Sequence, residues 1–268
     1  MHFQFDHLVH FVDSPEEARD ELKELGLHAV DGGKHDNGGT YNALSYFDLS
    51  YIELIGVFDK HLADQPAEKY SLGYTFQKDN YASGLSRIAL RSRNLEKEAE
   101  QLKSLGLEVI GPVPLGRKRP DGSMISWKLL FAGDPEEELA LPFFIEWEEA
   151  DEERRQGLKE QGTIFVHKRG ALSLASVGIA VKEAKSIIEK WSAYLNLEQG
   201  ESFIDEALCA TGYRLKLKGG DIIFYEPNGV GMVADTLKRR GEKPFLVNFS
   251  GGSTQEQFEV KNALYRFI

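Results

Sequence analysis

Ionisable side chains stand in apolar segments at several places in this chain. His7 and His10 lie in FDHLVHFV, Glu53 lies in SYIELIGV and Glu146 lies in LPFFIEW. A buried carboxylate needs a partner or a raised pKa, so both glutamates are candidate acids, bases or ligand anchors in a pocket. The alternative for each is an edge strand with its carboxylate in water.

The two histidines differ in their expected roles. Residues three apart in a strand face opposite sides, so His10 points away from His7 and is expected to be structural. His7 either donates an ordinary hydrogen bond to a neighbouring carbonyl or shares acid–base work with Glu53 and Glu146. These three residues are the candidate catalytic set.

Two polar loops supply candidate ligand-binding residues. The stretch GGKHDNGGTYN contains His35 and Asn42 and is either a glycine-rich connector or the rim of a pocket. It is not a phosphate loop, because no Gly-Lys-Ser/Thr follows and a strand comes next. In RKRPDGS, Arg117 and Arg119 either clamp a substrate carboxylate or phosphate or lie at a solvated hairpin tip.

Two tryptophans allow a structural or a functional interpretation, and the single cysteine a structural one. Trp127 and Trp147 lie on predicted strands, where they either pack in the core or stack on a flat ligand together with Tyr41. Cys209 is the single cysteine and is expected to be a small buried hydrophobe, so no intrachain disulfide framework is available.

The elements that position these residues repeat along the chain. A strand from Phe5, a helix capped by Ser14 and closed by Gly26, and three more strands give the order β-α-β-β-β. The second copy matches the first closely where LKELGLHAV and LKSLGLEVI end their helices. A third copy starts near Ala171, and KPFLVNFSGG opens a partial fourth, followed by a predicted helix over 258–267.

The repeats predict a division of the chain. Residues 1–150 would form a paired-module domain with modules at 1–80 and 81–150. Residues 151–170 would be an acidic connector, either solvated or a surface helix, and residues 171–268 would hold the third module and part of a fourth. An odd module leaves sheet edges to cover, which makes a homodimer an expectation.

These motifs in this order resemble the vicinal oxygen chelate superfamily, which includes glyoxalase I, extradiol dioxygenases and bleomycin-resistance proteins. The motifs that carry the resemblance are DHLVH, GGKHDNGGTYNALSYF, YIELIGV, RPDGSMISWKL and LPFFIEW, and the match is nearest to the bacterial glyoxalase-like domain proteins. The resemblance implies an α+β fold in which β-α-β-β-β modules pair into a cupped, barrel-like mixed sheet with helices outside.

The same resemblance implies a metal site. Its members can hold a divalent ion such as Zn, Ni, Mn or Fe between a histidine on the first strand and a carboxylate on the last strand of a module. His7, Glu53 and Glu146 match three such positions. Arg87 occupies the fourth, and an arginine has no lone pair to donate. Arg87 is expected to pair with Glu53 or Glu146 where the metal would otherwise lie.

Two function classes follow from the resemblance. One is a glyoxalase-like enzyme, a metal-assisted lyase, isomerase or dioxygenase that acts on a small polar or carbonyl-bearing molecule. The other is a drug-sequestering protein that binds a small molecule in the same cup without chemistry.

Composition narrows the range of partners. The net charge of −11 repels phosphate backbones and argues against nucleic acid. No apolar run approaches the length of a membrane span and no leader is apparent, so the cytoplasm is the expected location.

Overall fold

A computed structural model describes residues 2–118, 124–252 and 254–268, and within them eight strands form one sheet and seven form another. The first sheet has the order β2-β3-β4-β1-β5-β8-β7-β6 and the second has the order β10-β11-β12-β9-β13-β15-β14. The first sheet consists of β1 (Gln4–Phe11), β2 (Val30–His35), β3 (Thr40–Phe47), β4 (Ser50–Val57), β5 (Gly84–Arg91), β6 (Glu108–Lys118), β7 (Met124–Gly133) and β8 (Phe143–Trp147). The second consists of β9 (Ser173–Ala180), β10 (Gln199–Asp205), β11 (Ala210–Leu215), β12 (Asp221–Pro227), β13 (Lys243–Ser250), β14 (Glu256–Val260) and β15 (Ala263–Phe267).

Helices connect these strands and confirm the expected α+β class. They are α1 (Pro15–Glu24), α2 (Lys60–Ala63), α3 (Leu72–Lys78), α4 (Leu95–Ser104), α5 (Asp151–Glu160), α6 (Ala184–Leu195) and α7 (Met232–Arg240). The expected caps are present, since Ser14 accepts a hydrogen bond from the Glu17 amide and Asn94 accepts one from the Lys97 amide. The helices α1, α4 and α6 each bury an apolar stripe in the core.

The first sheet curls into a cup, which is the name used below for its concave face. Parallel pairing of β1 with β4 and antiparallel pairing of β1 with β5 place β1 at its centre. The curl brings the two edge strands together, because a Cβ added to Gly33 on β2 would overlap Nη1 of Arg117 on β6. Strand alternation then directs every second side chain of β1, β4, β5 and β8 into the cup.

The opposite, convex face of the first sheet shares a core with the second sheet. Phe5, Leu8 and Ile52 belong to one buried cluster with Val177 and Phe224. The contact also contains backbone hydrogen bonds, because the amide of Phe5 donates to the carbonyl of Lys218 at 2.9 Å. The two sheets therefore stabilise each other through continuous apolar packing.

The tail of the chain is a β-hairpin, and the helix predicted over 258–267 is wrong. Lys261 and Asn262 both have positive φ, at 44° and 63°, and form the tight turn between β14 and β15. Apolar residues around the turn alternate with polar ones, a period of two that favours strands. The hairpin pairs with β13, so the third module does not stand alone in the second sheet. The homodimer stays a prediction, but an odd module no longer supports it.

Two other expectations also need correction. Cys209 is exposed, because it lies in the turn before β11 with a φ of 50°. The acidic connector forms α5, as one of its two interpretations allowed, but this helix is not wholly solvated, since Arg154 is 3% exposed. Arg119 and the Pro-Asp-Gly turn lie outside the described residues.

Across the described part of the chain, no helix combines the length and the apolar character needed to cross a bilayer.

His10 lies in the contact between the two halves and gives a pH-dependent prediction. Its Nδ1 is 2.8 Å from the hydroxyl of Tyr265 and its Nε2 is 3.1 Å from the carbonyl of Lys261. Burial lowers the pKa of His10 to about 4. The unfolded chain therefore binds a proton below pH 6.5 while the folded chain does not, and stability falls as the pH drops from 6.5 towards 4. We expect His10 to account for a loss of about 2 kcal/mol between pH 7 and pH 5.

Urea unfolding of the wild type and of His10→Gln at both pH values checks this expectation. The variant keeps a neutral hydrogen-bonding side chain, so its loss of stability over the same interval should be smaller by that amount. Equal losses in the two proteins would contradict the assignment.

Candidate functional site

The centre of the cup holds a buried pair of neighbouring residues, Asp6 and His7. Their side chains would point to opposite faces of a regular strand. A β-bulge between β1 and β5 inserts Asp6 as an extra residue, because Phe5 pairs with Leu90 while His7 pairs with Ala89. The bulge brings Oδ1 of Asp6 to 2.7 Å from Nδ1 of His7. Asp6 is 0% and His7 is 4% exposed.

Cationic and hydrogen-bonding neighbours keep Asp6 ionised. Burial raises the pKa of Asp6, but the charge of Arg154 and the hydrogen bond from His7 outweigh it, and the pKa lies below its ordinary value. Nη1 of Arg154 is 3.7 Å from Oδ2, and Nε1 of Trp147 donates to the same oxygen at 2.9 Å. An ionised carboxylate only accepts hydrogen bonds, so Nδ1 of His7 carries the proton that it donates to Asp6.

The other ring nitrogen of His7 faces Glu53. Nε2 of His7 is 3.7 Å from Oε2 of Glu53, which is beyond hydrogen-bonding distance. The second oxygen of Glu53 accepts a 2.6 Å hydrogen bond from Asn42, whose Oδ1 accepts one from the amide of Gly33 at 2.8 Å. Nε2 of His7 and Oε2 of Glu53 are therefore two hydrogen-bond acceptors that face each other. A hydrogen-bond donor of a ligand placed between these two atoms would contact both of them.

Glycines at the edge of the cup leave room for the side chains of Asn42 and Arg117. A Cβ on Gly32 would overlap Oδ1 of Asn42, and a Cβ on Gly33 would overlap the guanidinium of Arg117. The glycine-rich stretch was expected to be a connector or a pocket rim. It extends β2 along the edge of the cup, and the absence of side chains lets Arg117 and Asn42 approach its backbone.

His35 and Trp127 also lie on the cup side of the sheet. His35 is half-buried, and its Nδ1 is 3.0 Å from the hydroxyl of Thr40. Burial lowers the pKa of His35, the carboxylate of Glu53 opposes this effect and the charge of Arg117 adds to it. The ring centroids of Trp127 and Trp147 are 5.7 Å apart. Tyr41 is different, because it lies on the opposite face of β3 and donates to Glu16, so it cannot stack on a ligand in the cup.

The half of the cup that comes from the second module is apolar. The edge of the Phe143 ring packs against His7, with centroids 5.3 Å apart. The guanidinium of Arg87 also lies against Phe143, 5.8 Å from the ring centroid. Arg87 does not pair with Glu53 or Glu146. It donates to the carbonyls of Tyr70 and Leu141 and to Thr75.

Glu146 is not in the cup, which corrects its alignment with Glu53. Its Oε2 accepts a 2.7 Å hydrogen bond from the amide of Leu95 at the start of α4, on the convex face. Glu53 pairs with Val9 on the first strand of its module, and the residue in the same register of the second module is Phe143, paired with Ala89. Glu146 lies three residues further on, and an odd offset in a strand reverses the face.

A glutamate at the matching position of the third module has the same hydrogen-bonding role as Glu146. Glu226 on β12 accepts a 2.8 Å hydrogen bond from the amide of Ala184 at the start of α6. In the first module the matching position is Gly56, which packs against Pro15. Proline has no amide hydrogen to satisfy, so no carboxylate is needed there.

The donor set does not fit a resident divalent metal. Only His7 and Glu53 of the three predicted ligands approach each other, whereas catalytic zinc sites use three protein ligands. The second module contributes Phe143 and Arg87 instead of donors. Among the described residues, no group of three or more His, Cys, Asp or Glu side chains could hold a metal ion.

Two residues of this site were not identified from the sequence. Asp6 is adjacent to His7 in DHLVH, and a carboxylate beside a histidine in an apolar strand is a signal that was available. Arg154 lies in an acidic stretch far along the chain, where nothing local indicates that it enters the cup.

Comparison with known proteins gives the following matches. The model of the glyoxalase-like domain family matches residues 5–195. A crystal structure of a hypothetical protein from Staphylococcus aureus superposes with a TM-score of 0.80 at 23% identity, covering 99% of each chain. A mutant of 4-hydroxymandelate synthase from Streptomyces coelicolor superposes with a TM-score of 0.59 at 11% identity, covering 92% of this chain and 71% of that one. At these identities the two structures show a shared fold alone. The sequence matches no curated protein.

Replacement of Glu146 tests its structural position. We expect Glu146→Ala to lower the free energy of unfolding by about 1 kcal/mol, because the amide at the start of α4 loses its acceptor. Glu226→Ala is the matched control and should behave in the same way at α6. Urea unfolding measures both, and a Glu146→Ala protein of unchanged stability would contradict the assignment.

Proposed function

This chain belongs to the glyoxalase-like domain family, and we propose that its cup performs metal-independent acid–base chemistry on a small carbonyl-bearing molecule. The observation that carries the proposal is the chain of contacts from Asp6 through His7 to Glu53. A base held by a buried carboxylate at one ring nitrogen, with the lone pair of its other nitrogen facing Glu53, is an arrangement suited to proton transfer.

His7 would act as the base. Asp6 holds Nδ1–H at 2.7 Å, which fixes the tautomer and leaves the lone pair of Nε2 directed into the cup. In the proposed step, Nε2 takes a proton from the carbon next to a substrate carbonyl, and the electron pair moves onto the carbonyl oxygen. The imidazolium that forms lies beside the Asp6 carboxylate, whose charge stabilises it. Return of the proton to the adjacent carbon completes an isomerisation, provided that Glu53 moves the hydroxyl proton of the enediolate from one oxygen to the other.

The groups around His7 would orient the substrate. Glu53, held by Asn42, can accept a hydrogen bond from a substrate hydroxyl placed between it and Nε2. Arg117 at the rim carries the positive charge that would stabilise an enolate oxygen or bind a substrate carboxylate. Stacking of His7 on Tyr51, with centroids 4.6 Å apart, and the Phe143 edge exclude water from the imidazole.

A non-catalytic binding protein is the second candidate. The half-buried indole pair of Trp127 and Trp147 borders the same cup and favours a flat ligand that stacks without reacting. In that case Glu53 and Asn42 would only anchor polar groups of the ligand. The two candidates differ in whether a proton leaves carbon.

Solvent deuterium exchange tests the proposal directly. We expect the wild type in D2O to accelerate α-proton exchange in at least one member of a panel of α-hydroxyaldehydes, α-hydroxyketones and 2-oxoacids, followed by proton NMR. His7→Ala should lower that rate by about 100-fold or more, because the base is removed. Glu53→Gln should lower it as well, while Glu146→Gln, on the other face of the sheet, should leave it unchanged.

The outcomes separate the candidates. Exchange that is equal in the wild type and in His7→Ala would refute His7 as the base. Ligands that bind the wild type without any exchange would support the binding protein instead.

Metal analysis is an independent check of the donor set. We expect the wild type, purified without chelator and incubated with excess Zn, Ni, Mn or Fe, to keep no stoichiometric metal after gel filtration, because two donors from one module bind weakly. Elemental analysis of wild type and His7→Ala measures this. One equivalent in the wild type that is lost in His7→Ala would show that the site holds a metal after all.

A further inference from the structure

A second concave site lies where the two sheets meet, away from His7. We call it the cleft. It has a volume of about 410 Å³, comparable with small-molecule sites, and is bordered by α3, by residues 133–142 and by residues 240–244. Arg87 borders the cleft and packs against Phe143, whose ring also contacts His7, but neither His7 nor Glu53 borders the cleft.

Five cationic side chains border the cleft, and one of them, Lys69, is paired with Glu108 outside it. The other four form what is called the cationic wall below: Lys78, Arg87, Arg240 and Lys243. Arg87 is 3% exposed, and its Nε is buried with no hydrogen-bond partner among the described residues. Burial lowers its pKa to about 10, so it stays charged at neutral pH. Arg240 donates to the carbonyl of Leu85 at 2.7 Å. Carbonyl partners satisfy hydrogen bonds but do not neutralise a full charge.

Asp79 is the carboxylate that forms an ion pair with a residue of the cationic wall. Asp79 forms an ion pair with Lys243, and its negative charge also acts on Arg87 and Arg240. Burial lowers the pKa of Lys243 and of Arg240, since the surrounding negative charge does not compensate fully. The wall therefore has an excess of positive charge on a chain whose net charge is −11.

The carboxylates of the facing wall have partners of their own. Glu137 pairs with Lys190, and Asp134 accepts a 2.9 Å hydrogen bond from Tyr194. Glu242 accepts a 2.7 Å hydrogen bond from the amide of Lys182. Glu138 also borders the cleft and pairs with Lys182, while Asp134 and Glu137 share Lys190, and neither lysine borders the cleft. The carboxylates of the facing wall therefore offset the charge of the cationic wall only in part.

We propose that the cleft is a second binding site, for a small molecule that carries a phosphate or diphosphate group. The anionic group would bind between Arg240 and Lys243, near the charge of Arg87, and the rest of the molecule would lie along Trp191 and Ile179. Two or more cations facing one point match the charge of a phosphate better than that of a neutral ligand. The site goes beyond the proposed function, because none of its residues touches His7 or Glu53.

Calorimetric titration with inorganic pyrophosphate tests the cleft. We expect saturable binding that weakens as NaCl rises. Lys243→Gln and Lys78→Gln should each weaken it by about fivefold to tenfold, because each removes one cation. Asp79→Asn should strengthen it by a similar factor, because the carboxylate that competes for the cations is gone.

The opposite sign of the Asp79→Asn effect separates charge from structural damage, since a misfolded protein cannot bind more tightly. Lys238→Gln is the matched control, because Lys238 is an exposed cation on α7 outside the cleft. The proposal is overturned if pyrophosphate does not bind the wild type, if Asp79→Asn weakens binding, or if Lys238→Gln weakens it as much as Lys243→Gln. None of these results bears on proton exchange by His7.

Discussion

Asp6 carries a carboxylate that is fully buried, and such a charge without partners would cost several kcal/mol. Two of its partners come from distant parts of the chain, Trp147 from β8 and Arg154 from α5. The third is the adjacent residue, His7. Satisfying this one charge therefore fixes the last strand of the second module, the position of α5 over the cup and the tautomer of His7. The orientation of Nε2 towards Glu53 is a consequence of that arrangement.

The modules keep the same backbone and differ at two positions of the last strand. The first of these faces the concave side and holds Glu53, Phe143 or Ile223 in the three complete modules. The second lies three residues later and supports the start of the module's helix. In the first module this second position is Gly56, which packs against Pro15 at the start of α1. In the second and third modules it is Glu146 and Glu226, and each accepts a hydrogen bond from the first amide of the module's helix. At the first position only the first module has a carboxylate, and the other two modules have apolar side chains there.

The cup and the cleft are two separate environments. Phe143 packs against both His7 and Arg87, and the guanidinium of Arg87 donates to Tyr70, Thr75 and Leu141 instead of pairing with Glu53. Had Arg87 reached Glu53, as the sequence suggested, the two charges would have neutralised each other. Instead Nη1 and Nη2 of Arg87 donate to two carbonyls and to the Thr75 hydroxyl, and the charge of the guanidinium is available to the cleft.

The sequence by itself determined the repeats, the caps of α1 and α4, the α+β class and the presence of His7, Glu53 and Asn42 in segments that border one sheet. Those features follow from local patterns: period, capping residues and turn residues. Only the tertiary structure decided which polar groups meet. A bulge at Asp6, an odd offset at Glu146 and the approach of Arg154 depend on strand register and on contacts between residues far apart in the chain. Alternation along a strand determines which side chains share a face of the sheet. The register of strand pairing determines which of the two faces lines the cup, and a shift of one residue moves every side chain of the strand to the other face.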